Sequence, residues 1–153
     1  MTQTTTNTPP APPTDKMINI LLVEDDEVDV MNVRRAFKKN NIMNPLHVAG
    51  NGVEALEFLR GKTGSRIPKE RRLILLDLNM PRMNGIEFLR ELRADPDLRA
   101  TPVVVLTTSN DDKDRVEAYN LNVAGYILKP VTLTSFIETM ATLNKYWMLS
   151  EFP

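Results

Sequence analysis

Cysteine is absent from the 153-residue chain, which excludes disulfides, thiolate zinc sites and cysteine nucleophiles. A dominant charge is absent too. Lys and Arg number 19 against 20 Asp and Glu, a formal charge of −1, so there is no simple electrostatic case for DNA, RNA or anionic lipid. No apolar run approaches the ~20 residues that cross a bilayer. The N-terminus has neither the charged start nor the apolar core of a secretory signal. These absences lead to the expectation of a cytoplasmic protein with no direct nucleic-acid or membrane partner. The length suits one ordinary domain with its own core.

What is present changes character at Met17. Residues 1–16 are rich in Thr and Pro and lack periodicity. Such a segment cannot bury enough apolar surface to offset its ordering entropy, and a disordered tail is predicted. Over 17–148 short apolar runs alternate with helical patterns, which defines one domain, and 149–153 form a C-terminal tail. Strands are predicted at 18–23, 46–49, 73–76, 103–106 and 125–128. Helices are predicted at 27–40, 85–94, 111–121 and 133–148. A further helix carries Val53, Leu56 and Leu59 between an Asn51 cap and a Gly61 stop.

Five strands alternating with five helices imply right-handed βαβ units, hence an α/β fold with a doubly wound, five-stranded parallel sheet. The runs Leu73-Ile74-Leu75-Leu76 and Val103-Val104-Val105-Leu106 do not alternate with polar residues, as befits parallel strands covered on both faces.

In an open α/β sheet the functional site lies beyond the carboxyl ends of the strands. Glu24, Asp25 and Asp26 follow the first strand; Asp77, Leu78, Asn79, Met80 and Pro81 follow the third. The fourth runs into Thr107, Thr108 and Ser109, the fifth into Lys129 and Pro130. Carboxylates from two strands at one edge repel each other, and a hard cation removes that conflict. Mg²⁺ takes oxygen ligands, keeps several waters and often binds phosphate as well. A nearby lysine and hydroxyl suit a phosphoryl group, one by charge and the other by a hydrogen bond. Asp77 is then the nucleophile, since aspartyl phosphates form on carboxylates. Each piece alone has a plainer reading: an acid after a strand caps a helix, Asp77 opens a loop, Lys129-Pro130 makes a turn, Thr107 is a strand residue. An acid, a hydroxyl and a lysine on three strand ends are a much rarer coincidence.

With those residues in place, the chain resembles the receiver domains of bacterial two-component response regulators. The matching stretches are Ile20-Leu-Leu-Val-Glu-Asp-Asp26, Leu75-Leu-Asp-Leu-Asn-Met-Pro81 with Asn84-Gly85, Val105-Leu-Thr-Thr108 and Tyr126-Ile-Leu-Lys-Pro130. The resemblance implies the flavodoxin-like receiver fold, a sensor histidine kinase as partner and Mg²⁺ as cofactor. It makes Asp77 the phosphoacceptor, and Glu24, Asp25, Asp77 and the Asn79 carbonyl the metal site. Thr107 and Lys129 bind the phosphoryl group, and Tyr126 is the switch aromatic. Asn79 and Ser109, two residues beyond Asp77 and Thr107, are placed to tune dephosphorylation. Asp26 also follows the strand, and the acid pair could be read one residue later. Glu24–Asp25 is preferred because it directly follows Val23. The long 61–72 loop and the aromatic C-terminal helix resemble the stand-alone regulators of bacterial and cyanobacterial phytochrome kinases.

Gly61-Lys62-Thr63 imitates the end of a P-loop, but Leu56 stands where that motif needs glycine. Asp77-Leu78-Asn79 resembles a haloacid-dehalogenase site without its second Asp, and no phosphate loop for FMN follows the first strand. His47, the one histidine, sits in a strand pattern and suits a structural role, so the donor histidine belongs to another protein. In the last helix Phe136, Met140, Leu143 and Trp147 form a stripe, flanked by Ile137 and Met148, whose first two turns pack on the sheet. Its aromatic end predicts a symmetric homodimer through Phe136, Met140, Tyr146, Trp147 and Phe152. No output domain is expected after Met148, so the output is expected to be a protein contact. Two function classes stay open: a phosphorylated signalling switch without separate substrate turnover, and a phosphorylation-independent interaction protein on the same fold. The set Glu24, Asp25, Asp77, Thr107 and Lys129 favours the first.

Overall fold

Successive residues of a strand face opposite sides of a sheet, and here both sides are covered. The computed structural model describes residues 17–62 and 67–153. The tail expected over 1–16 and Thr63 of the P-loop lookalike lie outside the described residues. The element order is β1 (Asn19–Val23), α1 (Glu27–Lys39), β2 (Leu46–Ala49), α2 (Gly52–Arg60), β3 (Arg72–Leu76), α3 (Gly85–Ala94), β4 (Val103–Thr107), α4 (Asp112–Asn120), β5 (Gly125–Leu128) and α5 (Leu133–Leu149). All five strands are parallel, in the order β2-β1-β3-β4-β5.

The apolar runs of β1, β3 and β4 split residue by residue between two cores. Leu21, Val23, Ile74, Leu76, Val103 and Val105 pack with α2, α3 and Ala118 of α4. Ile20, Leu22, Leu73, Leu75, Val104 and Leu106 pack with α1 and α5 on the other face. This accounts for strands with no polar alternation.

Local chemistry sets the helix starts. The Asp26 carboxylate accepts from the backbone N–H groups of Val28 and Asp29 and caps α1. Asn51 caps α2, and Gly61 ends it in the left-handed region at φ 68°. Asn84 and Glu87 form a reciprocal capping box at α3.

The structure corrects the reading of the last helix. Phe136, Met140 and Trp147 do not face outward: all three are buried in the core shared with α1. The Trp147 ring lies 6.0 Å from that of Phe37. The same stripe that reads as an interface is needed to cover the sheet. Of the five residues expected at a dimer contact, only Tyr146 and Phe152 keep exposed surface. Those two rings meet edge-on at 6.2 Å. Phe152 also packs on the α1–α5 core, and the Pro153 carbonyl accepts from the Arg71 backbone N–H at 2.6 Å. The end of the chain folds back on its own domain. No helix among the described residues is long and apolar enough to cross a membrane.

Candidate functional site

The strand order changes direction between β1 and β3, the point beyond whose strand ends open α/β sheets place their sites. Register decides what meets there. Val23 pairs with Leu76, so the next residues, Glu24 and Asp77, stand side by side. Leu76 pairs with Val105 and Thr107 with Leu128, so Lys129 stands two residues beyond the level of Asp77 and its long side chain reaches back to the two acids. The Lys129 backbone N–H donates to the Thr107 carbonyl at 2.7 Å.

Glu24 and Asp77 are each 4% exposed, and Thr107 is fully buried. The Thr107 hydroxyl donates to Asp77 Oδ1 at 2.8 Å and accepts from the Ser109 N–H at 3.2 Å. The Asn79 N–H donates to the same Oδ1 at 3.3 Å. Asp77 Oδ2 faces Lys129, whose Nζ stands 3.5 Å away. That ammonium makes shorter bonds elsewhere: 2.7 Å to Glu24 Oε1 and 2.8 Å to Asp29 Oδ2.

Burial pushes Glu24 up from the usual carboxylate range to about 7. The hydrogen bond from Lys129 opposes that rise, and the charge of Asp77 adds to it. Burial works against the charge of Lys129 as well, but its bonds to Asp29 and Glu24 outweigh this and hold it above the ordinary lysine range.

Glu24, Asp25 and Asp77 each offer a carboxylate oxygen within 4.8 Å of the others. One ammonium meets three carboxylates, those of Glu24, Asp29 and Asp77, and Asp25 adds a fourth to the cluster. Hard oxygen donors carrying excess negative charge fit a divalent cation such as Mg²⁺. Asp26 stands apart from this group because its carboxylate is spent on the α1 cap. Asp25 is the exposed member of the group.

The remaining expected residues flank the site. The Asn79 amide reaches Thr108 Oγ1 at 3.3 Å. The Ser109 hydroxyl donates to Asp114 Oδ2 at 2.7 Å, which ties the β4–α4 loop to α4. The Tyr126 hydroxyl donates to the Ser109 carbonyl at 3.0 Å, and the Arg115 guanidinium lies over its ring. His47 is remote, half-buried in β2 and held below the ordinary histidine range by burial. Sequence reading missed Asp29. An acid in the first turn of a helix already has a reason to be there, the helix dipole, and nothing in its spacing points to Lys129.

Comparison with known proteins agrees with this geometry. A family model described as the response regulator receiver domain matches residues 20–141. The chain is 37% identical over 131 residues to the probable methanogenesis regulatory protein FilR2 of Methanothrix harundinacea (strain 6Ac), covering 84% of this chain and 83% of that one. It is 36% identical over 129 residues to the response regulator Rcp1 of Synechocystis sp. (strain ATCC 27184 / PCC 6803 / Kazusa), covering 84% and 88%. The crystal structure of the Mn²⁺-bound form of Rcp1 superposes with a TM-score of 0.78 at 35% identity, covering 89% of this chain and 99% of that one. The crystal structure of the phosphorylated cyanobacterial phytochrome response regulator RcpA does so with 0.79 at 33%, covering 90% and 99%.

Proposed function

Because the chain belongs to the response regulator receiver domain family, we propose that it is a stand-alone response regulator that takes a phosphoryl group from a sensor histidine kinase onto Asp77. The observation that carries this is the buried Asp77 carboxylate, flanked by the Thr107 hydroxyl, the Lys129 ammonium and the acids Glu24 and Asp25.

In this reading Asp77 attacks the phosphorus of a phosphohistidine in line. The oxygen–phosphorus bond forms as the phosphorus–nitrogen bond breaks, and the imidazole leaves on the kinase. Glu24, Asp25, Asp77 and the Asn79 carbonyl would hold Mg²⁺, which when bound neutralises charge on the phosphoryl oxygens. The Thr107 hydroxyl, now donating to Asp77 Oδ1, turns to a phosphoryl oxygen, and Lys129 pairs with another. Tyr126 gives up its bond to the Ser109 carbonyl and follows Thr107 inward, which alters the face of α4, β5 and α5. Hydrolysis of the acyl phosphate resets the site, with the side chains of Asn79 and Ser109 gating the attacking water. The receiver turns over no separate substrate.

A kinase of the phytochrome type is supported by the likeness to RcpA, a cyanobacterial phytochrome response regulator. The cytoplasm is the compartment where such a kinase domain would meet it. A homodimer is proposed on the outer side of α5 and the chain end, where Met148 is 72% and Leu149 87% exposed, beside Tyr146 and Phe152. Transfer of labelled phosphate from a phosphorylated phytochrome-type kinase tests the partner. Label should pass to the wild type within seconds to minutes and not to Asp77→Asn. Label retained on every such kinase would sink this partner class. Met148→Glu with Leu149→Glu should halve the mass seen by light scattering, and an unchanged mass would remove this face as the dimer contact.

A further inference from the structure

Lys129 has one close partner that a metal ion would leave untouched. We infer that Asp29 is a positioning residue whose carboxylate parks the Lys129 ammonium away from Asp77 until a phosphoryl group draws it across, so that Asp29 sets how readily the site accepts that group. This rests on the reading of Asp77 as the phosphoacceptor.

The two short bonds of Nζ, at 2.7 Å to Glu24 and 2.8 Å to Asp29, are charge-assisted hydrogen bonds. The 3.5 Å to Asp77 Oδ2 is at the outer limit of one. The Lys129 side chain is 6% exposed, so water does not freely replace a lost partner. Glu24 belongs to the group of carboxylates spaced for a cation, and Asp29 does not. A cation on Glu24 therefore leaves Asp29 as the close partner of Lys129. The phosphoryl group must then win the ammonium from Asp29.

A simple dipole role does not account for this geometry. Glu27 also lies in the first turn of α1, and a dipole partner needs no particular direction. The Asp29 side chain is 19% exposed and meets a lysine 100 positions further along the chain.

Beryllofluoride with Mg²⁺ serves as a non-covalent phosphoryl probe on the full chain, with affinity read by calorimetry. Asp29→Asn keeps the size of the side chain and the start of α1. It should tighten beryllofluoride binding by about fivefold or more, the lower end of ordinary coupling between sites. Asp29→Glu, which restores a carboxylate, should return the affinity toward wild type. In a Lys129→Ala background the Asp29→Asn effect should vanish, as it must if it acts through that ammonium. Unchanged or weakened binding in Asp29→Asn, or an effect that persists without Lys129, would overturn the inference while leaving Asp77 as acceptor. A wild type that binds no beryllofluoride with Mg²⁺ would overturn both.

Discussion

At the scale of single residues, the site is a balance of charge held out of water. Glu24 carries the clearest mark of it. Its folded value of about 7 lies above the ordinary 4.5, so between those values the folded protein holds a proton that the unfolded chain has released. In the absence of metal its contribution to stability therefore falls as pH rises through that window. Ligation needs the carboxylate, so a divalent cation must expel the proton below about pH 7. Mg²⁺ affinity should then rise from about pH 6 to about pH 8, by no more than about tenfold per unit. Calorimetry in two buffers of different ionisation enthalpy should register proton release at the lower pH. An affinity flat across this range, with no proton released, would contradict Glu24 as a ligand. The types of the site residues were legible in the sequence because each lies at or just beyond the carboxyl end of a strand. The place of Asp29 beside Lys129 was not. Asp26 and Asp29 differ from Asp25 only in where the first turn of α1 points them.

At the scale of elements, that turn separates Asp26, which caps α1, from Asp25, whose carboxylate stays with those of Glu24 and Asp77. Asp26→Ala removes the α1 cap and should cost about 1 kcal/mol of stability, with Mg²⁺ affinity little changed. Asp25→Asn should do the reverse. Chemical denaturation together with metal titration distinguishes them, and a large loss of metal binding in Asp26→Ala would move the acid pair one residue later. The start of α3 is equally constrained. A Cβ on Gly85 would meet the Asp77 carbonyl at 2.6 Å and the Leu78 Cα at 2.7 Å. Both contacts are backbone atoms and cannot swing aside. Gly85→Ala should cost about 1–3 kcal/mol by overpacking and shift the Asp77 loop, so phosphoryl uptake should fall with it. Normal stability and uptake in that variant would contradict the close approach. The positions of β1, β3 and β4 were legible because unbroken Leu, Ile and Val runs admit little else in a chain of alternating elements. The end of β4 at Thr107 was not, because a threonine reads equally as strand or loop.

At the scale of the whole molecule, the last helix shows what a stripe of apolar residues does and does not say. Periodicity identifies the face of α5 that is covered, not what covers it. Phe136, Met140 and Trp147 are covered by this chain's own α1 and sheet, which leaves Met148 and Leu149 outward. Trp147→Ala should cost about 3–5 kcal/mol, seen as a lower denaturation midpoint. A loss below about 1 kcal/mol would return Trp147 to the surface. Phe152 returns to the α1–α5 core and Pro153 to Arg71, far away in sequence, and no local pattern announces it.

The most direct measurement is the intact mass after incubation with acetyl phosphate or a cognate kinase, with and without Mg²⁺, for wild type and Asp77→Asn. One phosphoryl adduct that requires Mg²⁺ and is missing from Asp77→Asn is the expected result. An adduct that survives in Asp77→Asn, or a wild type left unmodified by every donor and without affinity for Mg²⁺, would contradict Asp77 as the acceptor and favour an interaction protein on the receiver fold.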